Sequence, residues 1–480
     1  MTSPPLVPPE TRAVLRRTKL LRQATIYLAG DLLVRAGSLL LVPVYTRTLS
    51  RESYGAVAIA TLVATLVSYV TSMSLNAAVL TLGAESGTNQ QMNRVMDNLV
   101  RVVLVWSLGL GGALLVLVPM LSLHVFQSAD LVPCNRLAVM TGCFSGVTTV
   151  LLALFQRNEQ PVRYRVVTIC SFVANLTTGL VAVLVLRLEA FGAVLGQLVG
   201  SASGCGVALW MSGIKLGTPF ESKVIRRGLG IGIPLTIYSV GGFSTDQLSR
   251  VFIERYVSAS ALGVYNIAFL YSTSVTFVFG AINTAWVPRF FQQGEGSISA
   301  SGRYGTAVIL SAIAMGGIMT LLSPLVIEVV VGRTYQGAVE FVPLLMINAI
   351  LSGPIWSLLM NPLVLARRNW CIAGCALAGG AANVLLNEGL TSRYGVWGAA
   401  FSSLLSLLVL TSLVAYFSAR TYPVAYGYGI IAKIGAVVAT LYAVVNLLDR
   451  PGLYGLLLRL LLAMLCAGAA YGLLRRQRTG

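Results

Sequence analysis

The chain has 480 residues, of which 56% are hydrophobic and only 10% charged, with a mean hydropathy of +0.80; a soluble globular chain carries about 25% charged residues. Too little polar surface remains for the roughly three soluble domains such a length suggests, which leaves an all-α polytopic membrane protein. The net charge of +18 does not point to nucleic acid, because the basic residues sit in short segments between long apolar runs, as the positive-inside rule expects.

In chain order, residues 1–23 form a tail that is Pro-rich at first and then carries Arg12, Arg16, Arg17, Lys19 and Arg22. The apolar run that follows is too long for a signal-peptide core, so it reads as a retained first span with the N-terminus in the cytoplasm. Crossing roughly 30 Å of hydrocarbon takes about 20 apolar residues. That ruler gives about fourteen spans: 24–45, 55–80, 99–126, 134–156, 166–187, 190–214, 230–256, 262–286, 305–331, 342–365, 371–391, 396–418, 430–448 and 453–474. The last two, read as one re-entrant hairpin, bring the count towards twelve. Segments assigned to the cytoplasm hold about three times as many Lys and Arg as those outside. Arg475, Arg476 and Arg478 place the C-terminus inside as well.

An offset of 208 residues reveals a repeat. RTLSRESYG (Arg47–Gly55) after the first span matches RYVSASALG (Arg255–Gly263) after the seventh, laying Arg47, Ser50 and Gly55 on Arg255, Ser258 and Gly263, and Asn175 on Asn383. Two like-oriented blocks of six spans imply a parallel repeat about a pseudo-twofold axis along the membrane normal. The expected organisation is an N-lobe at 24–214, a cytoplasmic loop at 215–229, a C-lobe at 230–418, two appended spans within 419–474 and a cytoplasmic tail at 475–480.

Enzyme signatures are missing. No GxxxxGK[ST], GxSxG or HExxH occurs, and one histidine, His124, with seven cysteines and no CxxC gives no zinc cluster. Loops assigned to the outside are short, which weighs against a membrane glycosyltransferase or polymerase. No cofactor is expected. Ionisable groups inside spans are costly and therefore informative. The first span carries Asp31 and Arg35, the seventh Asp246 and Arg250, each an i,i+4 pair within salt-bridge reach on one helix face. Each pair could be a self-neutralised staple between helices; its place on the first span of a block argues instead for a wall of a central cavity. Counted back from Arg47 and Arg255, the two pairs are staggered by about 10 Å along the membrane normal, a spacing suited to handing an anionic group across. Arg47 and Arg255 are further candidate cargo contacts. So are Asn266 and Tyr271 in the polar and aromatic eighth span, which serves sugar contact or interhelical bonding equally well. Gly192, Gly196, Gly200 and Gly204, four apart on the sixth span, read as a close-packing stripe.

LLLVPVYTRTLSRESYGAVAI (Leu39–Ile59), ALGVYNIAFLYSTSVTFVFGAINTAWVPRFF (Ala261–Phe291) and YGVWGAAFSSLLS (Tyr394–Ser406) together resemble the polysaccharide-transporter, or Wzx-type oligosaccharide flippase, family of the MOP superfamily. That superfamily also holds MATE exporters and lipid II flippases. The resemblance implies two six-helix lobes around a cavity, alternating access, and a polyprenyl-diphosphate-linked oligosaccharide moved across the bacterial cytoplasmic (inner) membrane for O-antigen, exopolysaccharide or capsule assembly. It implies membrane lipids, a polymerase and other glycan-assembly proteins as partners, and proton or sodium coupling through Asp31 or Asp246. A MATE-like small-molecule exporter is the alternative within the same fold.

The topology is directly testable. Cysteines placed at Ser53 and Ser260 should react with impermeant thiol reagents from outside intact cells; labelling only from the cytoplasmic side would reverse the topology.

Overall fold

The computed structural model describes residues 41–85, 89–126, 128–214, 220–293, 298–366, 368–421, 426, 428–448, 459 and 461–468. Among them every regular element is helical. The first span, with Asp31 and Arg35, lies outside the described residues except for its helical end at 41–48. Then come α1 (Arg51–Ser72), α2 (Leu75–Glu85), α3 (Asn89–Val125), α4 (Val132–Arg157), α5 (Pro161–Leu180) and α6 (Glu189–Ser212). They are followed by α7 (Ser222–Gln247), α8 (Ser249–Tyr256), α9 (Ala259–Gln293), α10 (Ile298–Val330), α11 (Val342–Ile350), α12 (Trp356–Leu365), α13 (Asn369–Thr421) and α14 (Tyr428–Leu448). The expected spans from the second to the thirteenth thus fall on helices, several of which are long and apolar enough to cross a membrane.

Where the structure departs from unbroken spans, backbone chemistry explains it. The second expected span breaks into α1 and α2 because Met73 and Ser74 adopt the left-handed region, at φ 46° and 47°. The seventh breaks at Leu248 into α7 and α8, and the tenth passes through a π turn, Leu351–Ile355, that contains Pro354. Proline removes the amide that the ladder needs, and a wider turn accommodates it. In the other direction, the eleventh and twelfth spans share α13, whose 53 residues would stretch about 80 Å as one rod. Gly395, at φ 57° and ψ −134°, reverses the chain in a conformation that only glycine adopts freely. Past this reversal the Leu390 carbonyl fills the space where a Cβ of Gly398 would sit.

Packing divides along the chain. In the first part α4 lies against α1, α2, α3 and α6, and α5 against α6; in the second α13 holds α7, α8 and α12, α9 packs on α11, and α10 on α14. The glycine stripe does what its spacing predicts: Cβ atoms on Gly192, Gly196, Gly200 and Gly204 would meet Ala182, Gly179, Asn175 and Ser171 of the α5 rod. The Ser171 hydroxyl donates to the Gly200 carbonyl at 2.8 Å.

The repeated motif forms the seam between the two parts. A Cβ on Gly55 would collide with the Ala259 carbonyl, and one on Gly263 would lie 2.5 Å from the Arg51 carbonyl. Residues 51 and 259, and 55 and 263, are related by the same 208-residue offset, so α1 and α9 cross in one contact made twice, as in an isologous interface. The helix caps repeat as well. Ser50 Oγ accepts the Ser53 amide at 3.0 Å, and Ser258 Oγ accepts the Ala261 amide at 3.1 Å. At the far end of α1, about 27 Å away by helix rise, the Met73 carbonyl, left over by the α1–α2 break, occupies the space beside Gly232 on α7. There Thr236 donates to Ser74 at 3.2 Å, and the Glu221 amide to Asn98 at 2.9 Å.

Overpacking either motif glycine should therefore open the seam. Gly55→Val and Gly263→Val should each cost about 1–3 kcal/mol, read as a lowered melting temperature in detergent. Their double variant should fall short of additivity, because both strike one contact. Gly206→Ala, whose Cβ enters open space, should cost nothing.

Candidate functional site

Asp246 lies one residue before the end of α7, at a helix break that α13 holds in place. The Asn383 amide donates to the Thr245 carbonyl at 3.3 Å and to Ser406 Oγ at 2.9 Å. Asn387 donates to Ser249 Oγ at 2.9 Å, Ser249 and Ser403 share a bond of 2.6 Å, and Thr391 donates to Asn387 at 2.8 Å. Asn383 and Asn387 are fully buried, so every amide hydrogen left unpaired there would be expensive. This network lets a carboxylate sit on a fixed piece of backbone.

Two cavities meet at Asp246. One, of about 260 Å³, lies between α1, α7, α12 and α13, lined by Thr65, Tyr69, Tyr238, Asp246, Gln247 and Trp356 among others. The second, of about 340 Å³, lies among α7, α9, α11 and α13 and shares Asp246, Gln247 and Ser352 with the first. The first has aromatic walls. Tyr238 and Trp356 stack with ring centroids 6.0 Å apart and planes 7° from parallel, the indole N–H donating to the Tyr238 hydroxyl at 3.0 Å. Tyr69 meets Phe243 edge-on at 6.0 Å. A third cavity, of about 310 Å³, is framed by α1, α4, α5 and α6 and lined by hydroxyls and amides including Thr61, Asn175 and Gln197.

Arg250 does not pair with Asp246. Its guanidinium donates to Asn266 Oδ1 at 2.9 Å and lies 4.1 Å from the centre of the Phe269 ring, within the range of a cation–π contact. Arg250 is 7% exposed and is absent from the residues lining either cavity at Asp246; Phe269 and Tyr265 form the wall in front of it. The i,i+4 spacing suggested a salt bridge, but the break at Leu248 and the amide supplied by α9 give the guanidinium other partners.

A profile described as "polysaccharide biosynthesis protein" matches residues 44–340, more than half of the chain. The chain belongs to that family. A 152-residue stretch is 26% identical to "Lsg locus putative protein 1" of Haemophilus influenzae, covering 31% of this chain and 38% of that protein; the match thus spans well under half of the relative's length. Among solved structures, "Lipid II flippase MurJ, inward closed conformation" superposes with a TM-score of 0.69 at 13% identity over 95% of this chain and 99% of that one. An inward-facing multidrug resistance MATE transporter of the MOP superfamily gives 0.63 at 11% identity over 83% and 97%. This family member is a multi-pass membrane protein with the MOP-superfamily fold.

The remaining candidates among the described residues, Arg47, Arg255, Asn266 and Tyr271, do not line either cavity. Arg47 is exposed and donates to the Val329 carbonyl at 3.2 Å, near the end of α10, where a helix C-terminus favours a cation. Arg255 lies 5.3 Å from the Tyr256 ring centre. Tyr271 donates to the Met319 carbonyl at 2.6 Å, tying α9 to α10, and Asn266 is spent on Arg250. Sequence reasoning missed Tyr69, Tyr238 and Trp356. Tyr238, Gly242 and Asp246 stand at i, i+4 and i+8, a face that marking aromatic residues beside Asp246 would have exposed.

The geometry around Arg250 separates packing from cargo contact. Asn266→Ala, which removes the acceptor and keeps the charge, should lower the melting temperature nearly as much as Arg250→Ala, by a stability loss of about 1.5–3 kcal/mol. Arg250→Ala losing transport at an unchanged melting temperature would place the guanidinium on the cargo.

Proposed function

We propose that this protein is a flippase that carries a polyprenyl-diphosphate-linked oligosaccharide across the bacterial cytoplasmic membrane by alternating access of two six-helix lobes, with both termini in the cytoplasm and no enzymatic step. The observation that carries the proposal is the cavity at the α1–α7 seam of a polysaccharide biosynthesis family member. Thr65 and Tyr69 of α1 face Tyr238 and Asp246 of α7 across it, and backbone contacts close the seam beyond it at Gly55–Ala259 and at Gly232–Met73. A cargo with a charged, hydroxyl-rich head cannot enter roughly 30 Å of hydrocarbon unaided. A polar cleft that opens to one side at a time removes that barrier, while the prenyl chain stays in lipid. Each closure sets a glycine against a carbonyl, and the one at Gly232 adds an exposed Arg94–Glu221 ion pair at 4.0 Å.

In this reading Arg35 neutralises the diphosphate, a task suited to the planar bidentate guanidinium. Asp31 and Asp246 are the acids through which a proton or sodium gradient acts. Glycan polymerase and other assembly proteins are the partners that receive the cargo. The second reading is a MATE-like exporter of organic cations, favoured by an aromatic cavity whose described lining holds an acid and no basic residue.

Reconstitution in liposomes with a defined lipid-linked oligosaccharide tests the proposal. Flipping should occur with the parent protein, vanish in Arg35→Ala and return in part in Arg35→Lys. If a pH or sodium gradient stimulates the Asp31→Asn and Asp246→Asn variants as much as the parent, neither acid couples. No flipping, together with extrusion of a lipophilic cation, would establish the exporter instead.

A further inference from the structure

The cavity at the α1–α7 seam is chemically unlike a diphosphate site. Of the described side chains that line it, the one carboxylate is Asp246, and no Lys, Arg or His is present. Arg250, a turn away, is spent on Asn266 and Phe269 behind the wall of the neighbouring cavity. An anionic diphosphate beside Asp246 would meet like charge in a medium that screens it poorly.

The same walls suit a neutral pyranose. A sugar ring has two faces of C–H groups, which rest on aromatic planes, and an equatorial edge of hydroxyls, which need acceptors and donors. The Tyr238–Trp356 stack supplies a flat platform. Trp356 cannot swing freely, since its N–H is committed to the Tyr238 hydroxyl, so the platform is ordered before any ligand arrives. Across the cavity Tyr69, in the last turn of α1, meets Phe243 edge-on yet keeps 38% of its surface exposed, so its ring has room to take a partner. Asp246 offers two oxygens to a pair of adjacent hydroxyls, and charge-assisted bonds of that kind are the stronger ones. Gln247 and Thr65 supply donors as well as acceptors. A lipophilic cation would use the carboxylate and the rings but would leave those neutral hydrogen-bonding groups idle.

We infer that the Tyr69–Tyr238–Asp246–Trp356 cavity is a monosaccharide subsite that holds one sugar ring of the oligosaccharide, apart from whatever binds the diphosphate. The inference rests on the flippase reading for its cargo and goes beyond it in dividing the head group between two places. α1 contributes Tyr69 and α7 Tyr238 and Asp246, so a ring held here bridges both sides of the seam and is released as they part.

The test uses the full-length protein in detergent, without any gradient, and soluble trisaccharides that carry neither lipid nor phosphate: maltotriose, cellotriose and chitotriose. Calorimetric titration should give saturable binding of at least one, insensitive to millimolar inorganic pyrophosphate. Tyr69→Ala and Asp246→Asn should each weaken that binding at least ten-fold, and Trp356→Phe, which keeps a ring, should weaken it less than Trp356→Ala. Melting temperatures identify any variant that fails to fold, and Asp246→Asn, nearly isosteric, keeps the test alive if the aromatic variants do. Binding of none of the three sugars, binding indifferent to Tyr69→Ala and Asp246→Asn, or competition by pyrophosphate or tetraphenylphosphonium overturns the subsite. The flippase reading fails separately, on the flipping assay with lipid-linked cargo. Flipping that survives while sugar binding is absent sinks the subsite alone.

Discussion

Two helices that cross in hydrocarbon gain little from hiding apolar surface, because lipid hides it equally well; what holds them is close van der Waals approach and the hydrogen bonds they share. The crossing of α1 and α9 uses the closest approach a backbone allows, with Gly55 against Ala259 and Gly263 against Arg51. Around it the rest of the motif finds its work. Arg51 donates to the Thr334 carbonyl, Ser53 to Glu189 at 2.6 Å, and the Tyr54 ring meets Tyr335 edge-on at 5.9 Å. The apolar core at this end, from Ile59 and Leu62 through Leu262 and Tyr265 to Leu345 and Ala399, crosses from one part of the chain to the other without interruption. Everything farther along α1 is positioned by that anchorage, including Thr65 and Tyr69.

The two parts treat equivalent polar positions in opposite ways. Asn383 is buried and bonded to Thr245, Ser406 and Asn387, and the network it starts fixes the α7–α8 break. Asn175, at the same place in the other repeat, lines a cavity and keeps a buried Oδ1 without a hydrogen-bond partner. A satisfied network stiffens its surroundings; an unsatisfied oxygen at a cavity wall is a reason for water or ligand to enter. The side of the seam that carries Asp246 is thus braced by its own polar residues, whereas the opposite side leaves them to the cavity.

Much of this architecture was legible in the sequence because it depends on periodicity and residue size. Runs of about 20 apolar residues mark the helices, the four-residue glycine spacing marks a close-packing face on α6, and RTLSRESYG beside RYVSASALG marks a repeat, whose two copies meet only in the folded chain. What escaped depends on tertiary partners. Met73 and Ser74 carry no glycine or proline signal, yet they take left-handed backbone, with the Met73 carbonyl against Gly232. The i,i+4 spacing puts Asp246 and Arg250 within salt-bridge reach, and no local pattern announces that Asn266, sixteen residues on, will claim the guanidinium. The aromatic wall joins α1, α7 and α12 from three distant stretches, and single-sequence reasoning has no measure of that proximity.

The contact at Gly55 and Gly263 is its own image. A half-length chain bearing one copy of the motif would make the same pair of contacts by dimerising about a true twofold axis. Joining two copies end to end then demands no new interface at this point, only a covalent link. The fusion also frees each copy to diverge, since Asn175 and Asn383 no longer have to be one residue doing one job. A chain assembled in this way would keep its symmetric joint while the rest diverged into a cavity with two different walls.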